Sequence, residues 1–217
     1  MIGAGEPAPS HLARRVRAAH GDLAEREGRL RESSGGGALA LPGIRLMASG
    51  LPRPQWNNAD VVEPAAAPRI DIDAVRRWYA ERGVPWGMRV PLGSAWPYGR
   101  RVLTKRAMAV SLDEAPTVTD PAPGPDDVLI VVAGPGDLDA FARVDAAAFD
   151  DAAGPTADYA RPRRRGIGTT LTIHLLRWSR GEGADLAWLN PDDDRAARLY
   201  AALGVRGVAG FDVYVDG

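Results

Sequence analysis

Cysteine is absent from this 217-residue chain. Its absence removes disulfides, thiolate metal sites and a cysteine nucleophile together. Histidine is scarce: His11, His20 and His174 stand apart without metal-ligand spacing, which argues against a zinc centre. No apolar run approaches the ~20 residues that a membrane-spanning helix needs. Met1 to Ser10 lacks the apolar stretch of a signal peptide and reads as a tail, so a cytoplasmic location is expected. Charge of either sign is not in excess: 27 basic residues stand against 28 acidic ones, for a net charge of −1. That balance, with no basic domain, gives nucleic acid nothing to bind. What remains is an ordinary soluble composition, 45% apolar and 25% charged, in a chain long enough to bury a core as one large domain or two small ones.

The hydrophobic pattern alternates between helices and strands. Leu12, Val16, Ala19, Leu23 and Leu30 fall near one face of a helix spanning roughly 10–31, whose other faces are dense in Arg and Glu. It reads as an exposed amphipathic helix, ended by the Ser-Gly run at 33–37. Strands are expected at 39–48 and 56–63. A helix carrying Val75, Trp78 and Tyr79 follows, capped by Asp71 or Asp73 and stopped at Gly83. Further strands are expected at 86–91 and 101–112. The Pro-, Asp- and Thr-rich segment 113–127 reads as a linker, which divides the chain into 1–115 and 116–217. The second part opens on an apolar strand at 128–132 and a helix carrying Leu138, Phe141, Val144 and Phe149. After an irregular stretch at 150–162 come a helix at 168–181, a strand at 184–189, a helix beginning at 191–194 and a closing strand at 211–215.

The chemically informative stretch is Arg163-Arg164-Arg165-Gly166-Ile167-Gly168-Thr169, at the start of the 168–181 helix. The first backbone N–H groups of a helix have no partner within it, and that end carries partial positive charge. A glycine-broken, arginine-flanked turn there is a seat for phosphate. By itself the pattern is equally a basic surface turn. Its context is a second helix, Ala196-Ala197-Arg198-Leu199-Tyr200-Ala201-Ala202-Leu203-Gly204, following an intervening strand.

That order resembles the Gcn5-related N-acetyltransferase (GNAT) family over the last fifty or so residues. In that family an Arg-x-x-Gly-x-Gly turn wraps the pyrophosphate of acetyl-CoA, here Arg163, Gly166 and Gly168, with amides of residues 164–169 as donors. The alanine–leucine–tyrosine–glycine helix matches at 196–204. The resemblance implies an α/β (α+β) fold: an acyl-CoA N-acyltransferase-like mixed sheet flanked by helices, here shortened and preceded by a degenerate α/β half. It implies acetyl-CoA as co-substrate, a small-molecule or peptide amine as acceptor, and Tyr200 as the group that protonates the leaving thiolate. A phenol suits that work, being protonated at neutral pH and able to donate to a developing anion. Tyr200 also lies on the inward stripe with Leu199 and Leu203, so a packing role is its alternative. The pattern sets no oligomeric state.

Other candidates have simpler readings. Asp192, Asp193 and Asp194 stand at a helix start, where capping and the helix dipole account for them without a metal. Gly134-Pro135-Gly136 lacks the third glycine of a dinucleotide-binding turn, because Asp139 stands there. His174 reads as a side chain beside an apolar stripe. One departure from the family is larger. Its fold places three strands before the pyrophosphate turn, and the stretch 150–162, with Pro155 and Pro162, has no room for them. Either the first half supplies replacement strands, or the chain is a catalytically inactive acetyltransferase-like binding module. Strands 39–48 and 101–112 are expected in one sheet with 184–189 if the first alternative holds. A V-shaped split beside 184–189 would admit a pantetheine arm.

Overall fold

The structure, a computed structural model, describes residues 11–113, 134, 136 and 167–215. The expected linker, the strand at 128–132, the helix through Phe149 and residues 163–166 lie outside them. The chain divides into two compact units: residues 1–114 with 185–217, and residues 115–184.

The first unit is built on a seven-stranded mixed sheet: β1 (Gly37–Leu41), β2 (Ile44–Ala48), β3 (Asn58–Val61), β4 (Gly87–Pro91), β5 (Arg100–Ser111), β6 (Leu186–Leu189) and β7 (Arg206–Val215). Their order across the sheet is β1-β2-β3-β4-β7-β5-β6. All neighbours are antiparallel except β3 and β4, which run parallel. The crossover that a parallel pair requires is α2 (Ile72–Ala80). The expected helix is present, and Asp71 is its cap: its side chain accepts from the Ala74 N–H at 2.9 Å. The run at 39–48 is two strands, not one. Pro42-Gly43 turns it into a hairpin, with Gly43 at φ 76°.

One side of the sheet packs on α2. Ile44, Leu46, Val61, Val75, Tyr79 and Val90 are among the side chains that make this core, and Tyr79 lies parallel to the Trp86 ring with centroids 4.7 Å apart. The Tyr79 hydroxyl donates to the Met47 carbonyl at 3.1 Å, and burial pushes its pKa up. Asn57, fully buried, ties the turn before β3 to the start of β4. Its Oδ1 accepts from Ser49, and its Nδ2 lies 2.8 Å from the carbonyls of both Leu51 and Pro85.

Helix α1 (His11–Leu30) covers the other side of β1–β3 and corrects the reading of an exposed helix. Its buried residues are Ala13, Val16, Gly21, Ala24 and Gly28, while Leu23 and Leu30 are exposed. Small side chains at helical spacing bring α1 close to the sheet. A Cβ on Gly28 would fall 2.2 Å from the Gly37 carbonyl oxygen, and one on Gly21 would fall 2.6 Å from a Val62 methyl.

Replacement strands do come from the first half. β5 pairs with β6 from Met108↔Leu189 to Ser111↔Leu186, and β1–β4 belong to the same sheet. The pairing of β5 with β6 is unbroken, so no split opens on that side. The other edge of β6 has no neighbour among the described residues. Helix α4 (Asp194–Ala202) leads from β6 into β7. In the second unit the described element is α3 (Ile167–Gly181).

Candidate functional site

Of the residues expected to hold a pyrophosphate, Arg163, Arg164, Arg165 and Gly166 lie outside the described residues. Ile167, Gly168 and Thr169 form the first turn of α3, where a helix's N–H groups have no partner within it. The Gly168 carbonyl accepts from the Thr172 hydroxyl at 2.8 Å.

Tyr200 stands on α4, half-buried. The helix is positioned by its cap: Asp193 accepts from the Ala196 N–H at 2.7 Å. It ends at the Tyr200 carbonyl, which accepts from Leu203 and Val205 N–H at 3.0 and 3.1 Å, with Gly204 at φ 85° supplying the left-handed turn. The flanking acids tie α4 to β5. Asp194 meets Arg106 at 2.6 Å, which holds its carboxyl below the usual range, and Asp192 meets Lys105 at 3.7 Å.

The sheet also assembles a group that the sequence reading passed over: His20 from α1, Asp60 from β3 and Arg89 from β4. The parallel register sets Asp60 opposite Arg89. Arg89 Nη2 donates to Asp60 Oδ2 at 2.7 Å, and Arg89 Nε lies 2.6 Å from Oδ1. His20 Nδ1 stands 3.1 Å from Asp60 Oδ1, and His20 Nε2 stands 3.2 Å from Arg89 Nη1. A guanidinium only donates, so Nε2 is the accepting nitrogen and the proton sits on Nδ1, aimed at Asp60. Each member thus satisfies another. Asp60 is buried, and burial alone would push its pKa up. The charge of Arg89 and the hydrogen bond from His20 outweigh burial and hold the carboxyl below its ordinary value.

This ring borders a cavity of about 30 Å³, whose walls include Val16, Trp188 and Phe211. The His20 ring lies 4.7 Å from Trp188 and 5.7 Å from Phe211, centroid to centroid. Arg17, one residue after Val16 on α1, also lines it. A second hollow, of about 300 Å³, also includes Arg89 in its lining and is bordered by Glu27, Arg31, Trp56 and Asn58. The available signals were a charged residue inside each of two apolar strands, at Asp60 and Arg89. The partners of those charges come from distant segments, so sequence spacing could not pair them.

A mixed sheet flanked by helices, with an α–β–α–β order in the C-terminal part of the chain, is an acyltransferase-like α/β fold. The comparisons agree. Residues 160–205 match the family described as acetyltransferase (GNAT). The fold is similar to that of a GCN5-related N-acetyltransferase from Kribbella flavida, with a TM-score of 0.62 at 18% identity over 94% of this chain and 95% of that one. No curated protein matches this chain. The family match is confined to residues 160–205, and the structural likeness is one of fold. No described helix is long and apolar enough to cross a membrane.

Proposed function

We propose that this protein is an acetyl-CoA-dependent N-acetyltransferase acting on a small-molecule or peptide amine. The observation that carries the reading is the family match over 160–205, which spans the arginine–glycine turn, the first turn of α3 and the Tyr200 helix. Gly168 is exposed in that first turn, and the absence of a Cβ lets a diphosphate approach the helix amides. Arg163, Arg164 and Arg165 add charge before the turn, and the amides of Ile167, Gly168 and Thr169 donate. The thioester of acetyl-CoA supplies the activated acetyl group, and a neutral amine attacks its carbonyl. Tyr200 donates its phenolic proton to the departing sulfur, and the proton shed by the attacking nitrogen returns to the phenolate through solvent.

Thiol release from acetyl-CoA, followed across a panel of amines, tests the activity. Tyr200→Phe keeps the ring and removes the proton. It should lower kcat by about 10²-fold, the usual worth of a positioned general acid, with little change in acetyl-CoA affinity. A Tyr200→Phe variant with undiminished kcat would remove Tyr200 from the chemistry, and a panel-wide lack of thiol release would oppose the activity.

A further inference from the structure

The second hollow, at the C-terminal end of α1, holds one uncommitted charge of each sign. Its described lining includes Glu27, Arg31, Met47, Gln55, Trp56 and Asn58. Glu27 and Arg31 are both exposed. They stand four residues apart with the acid first, the order that pairs best along a helix. Yet among the described residues neither makes an ion pair. Glu25 takes the nearby cations instead, Arg29 and Arg45. Arg31 stands just past Leu30, the last residue of α1. Its carbonyl accepts from the Ser34 and Gly36 N–H groups, each at 2.9 Å, and its guanidinium lies 5.8 Å from the centre of the Trp56 ring. The third charge at the hollow, Arg89, is neutralised by Asp60. The wall that carries Gln55 and Trp56 is fixed from beneath. Buried Asn57 donates to the Leu51 and Arg53 carbonyls at 2.8 and 2.9 Å, and buried Asn58 donates to the Gln55 carbonyl at 2.8 Å.

We propose that this hollow binds a free α-amino acid, with its ammonium on Glu27, its carboxylate on Arg31 and its side chain against Trp56 and Met47. The charges select it. A simple amine would meet Glu27 and be repelled by Arg31, and a simple acid would meet the reverse. A zwitterion satisfies both. The spacing agrees. Side chains four apart on a helix start about 5–6 Å from one another. Both stems are long, so the two charges can bracket an ammonium and a carboxylate that share one carbon. The guanidinium offers a fork of N–H donors that matches a carboxylate, and the Glu27 carboxylate only accepts, which suits an ammonium. The room is sufficient. About 300 Å³ equals the liquid volume of about ten waters, so a ligand of about that many non-hydrogen atoms fits. Met47 and Trp56 supply apolar contact, which favours a hydrocarbon or thioether side chain over a charged one. The proposal concerns binding without coenzyme and does not rest on acetyl transfer.

Isothermal titration of the full chain tests it, without coenzyme and at about pH 6.5, where an α-amine is protonated. L-methionine and L-leucine are each set against the amide, which keeps only the ammonium, and against the N-formyl acid, which keeps only the carboxylate. The free amino acids should bind at least about tenfold more tightly than either blocked form. Glu27→Gln should abolish the preference over the N-formyl acid, and Arg31→Met should abolish the preference over the amide. Both positions are exposed, and circular dichroism melts check that the fold is kept. No binding of either amino acid at about 10 mM, or blocked forms that bind as tightly as the free ones, would overturn the proposal. So would preferences that survive in the folded variants. If a variant fails to fold, the comparison of free and blocked forms in the native chain decides alone. Coenzyme plays no part in this titration, so its failure leaves the acetyl-transfer reading standing.

Discussion

At the scale of single residues, Asp60 is where the electrostatics of the first unit concentrate. A buried carboxylate is tolerable only because Arg89 and His20 hold it, and the balance leaves its pKa below that of an exposed aspartate. A depressed native pKa gives a definite sign. The stabilisation is fully present above the unfolded value of about 4, and it is lost as pH falls through the lower native value. Asp60→Asn should therefore lower stability at neutral pH by about 3 kcal/mol, the usual consequence of removing one partner from a buried ion pair. It should also flatten the acid limb of the stability profile. Urea titrations of both proteins from neutral pH to about pH 3 measure this. Equal slopes on the acid side would show that Asp60 does not carry the linkage. Tyr79 and Asn57 are also buried polar groups of this unit, and each is satisfied across the chain: the Tyr79 hydroxyl donates from α2 to the Met47 carbonyl on β2, and Asn57 accepts from Ser49 and donates to the Pro85 carbonyl.

At the scale of elements, local signals were read correctly where they were local. Asp71 and Asp193 each stand one residue before their helix and accept from its third residue. The α3–β6–α4 order was legible because each element carries its own period and its own punctuation. Large apolar residues do not mark the buried face of helix α1, where Leu23 and Leu30 are exposed. The face that packs runs through Ala13, Val16, Arg17, His20, Gly21, Ala24 and Gly28, and it mixes small residues with charged ones. Hydropathy cannot see such a face, since glycine there serves distance rather than hydrophobicity. The hairpin at Pro42-Gly43 was missed even though its turn residues were in view, because apolar residues flank it on both sides. Gly28→Ala separates these effects. In an exposed helix the change would stabilise by about 1 kcal/mol. Against the Gly37 carbonyl it should destabilise by about 1–3 kcal/mol, as overpacking does. The urea midpoint, at unchanged slope, reads the result, and an upward shift would contradict close packing of α1 on β1.

At the scale of the molecule, the family resemblance was legible from one short motif and one helix, while the sheet that completes the fold was not. β5 is Arg100–Ser111 in sequence and yet lies between β7 and β6, which come from the far end of the chain. Such pairing is non-local and leaves no mark in spacing. The apparent lack of room for strands before the pyrophosphate turn therefore reflected where those strands lie in the sequence. The site divides in the same way. Tyr200 and the glycine turn were named from pattern, whereas the ring of His20, Asp60 and Arg89 exists only once three distant segments meet. The functional reading rests on the helix that opens at Ile167. Calorimetric titration of acetyl-CoA into the native chain and into Gly168→Glu, which sets an anion where the diphosphate would lie, tests that reading most directly. Saturable binding to the native chain, lost in a folded Gly168→Glu protein, is the predicted result. No binding to the native chain at millimolar coenzyme, or equal affinity in the two proteins, would contradict it.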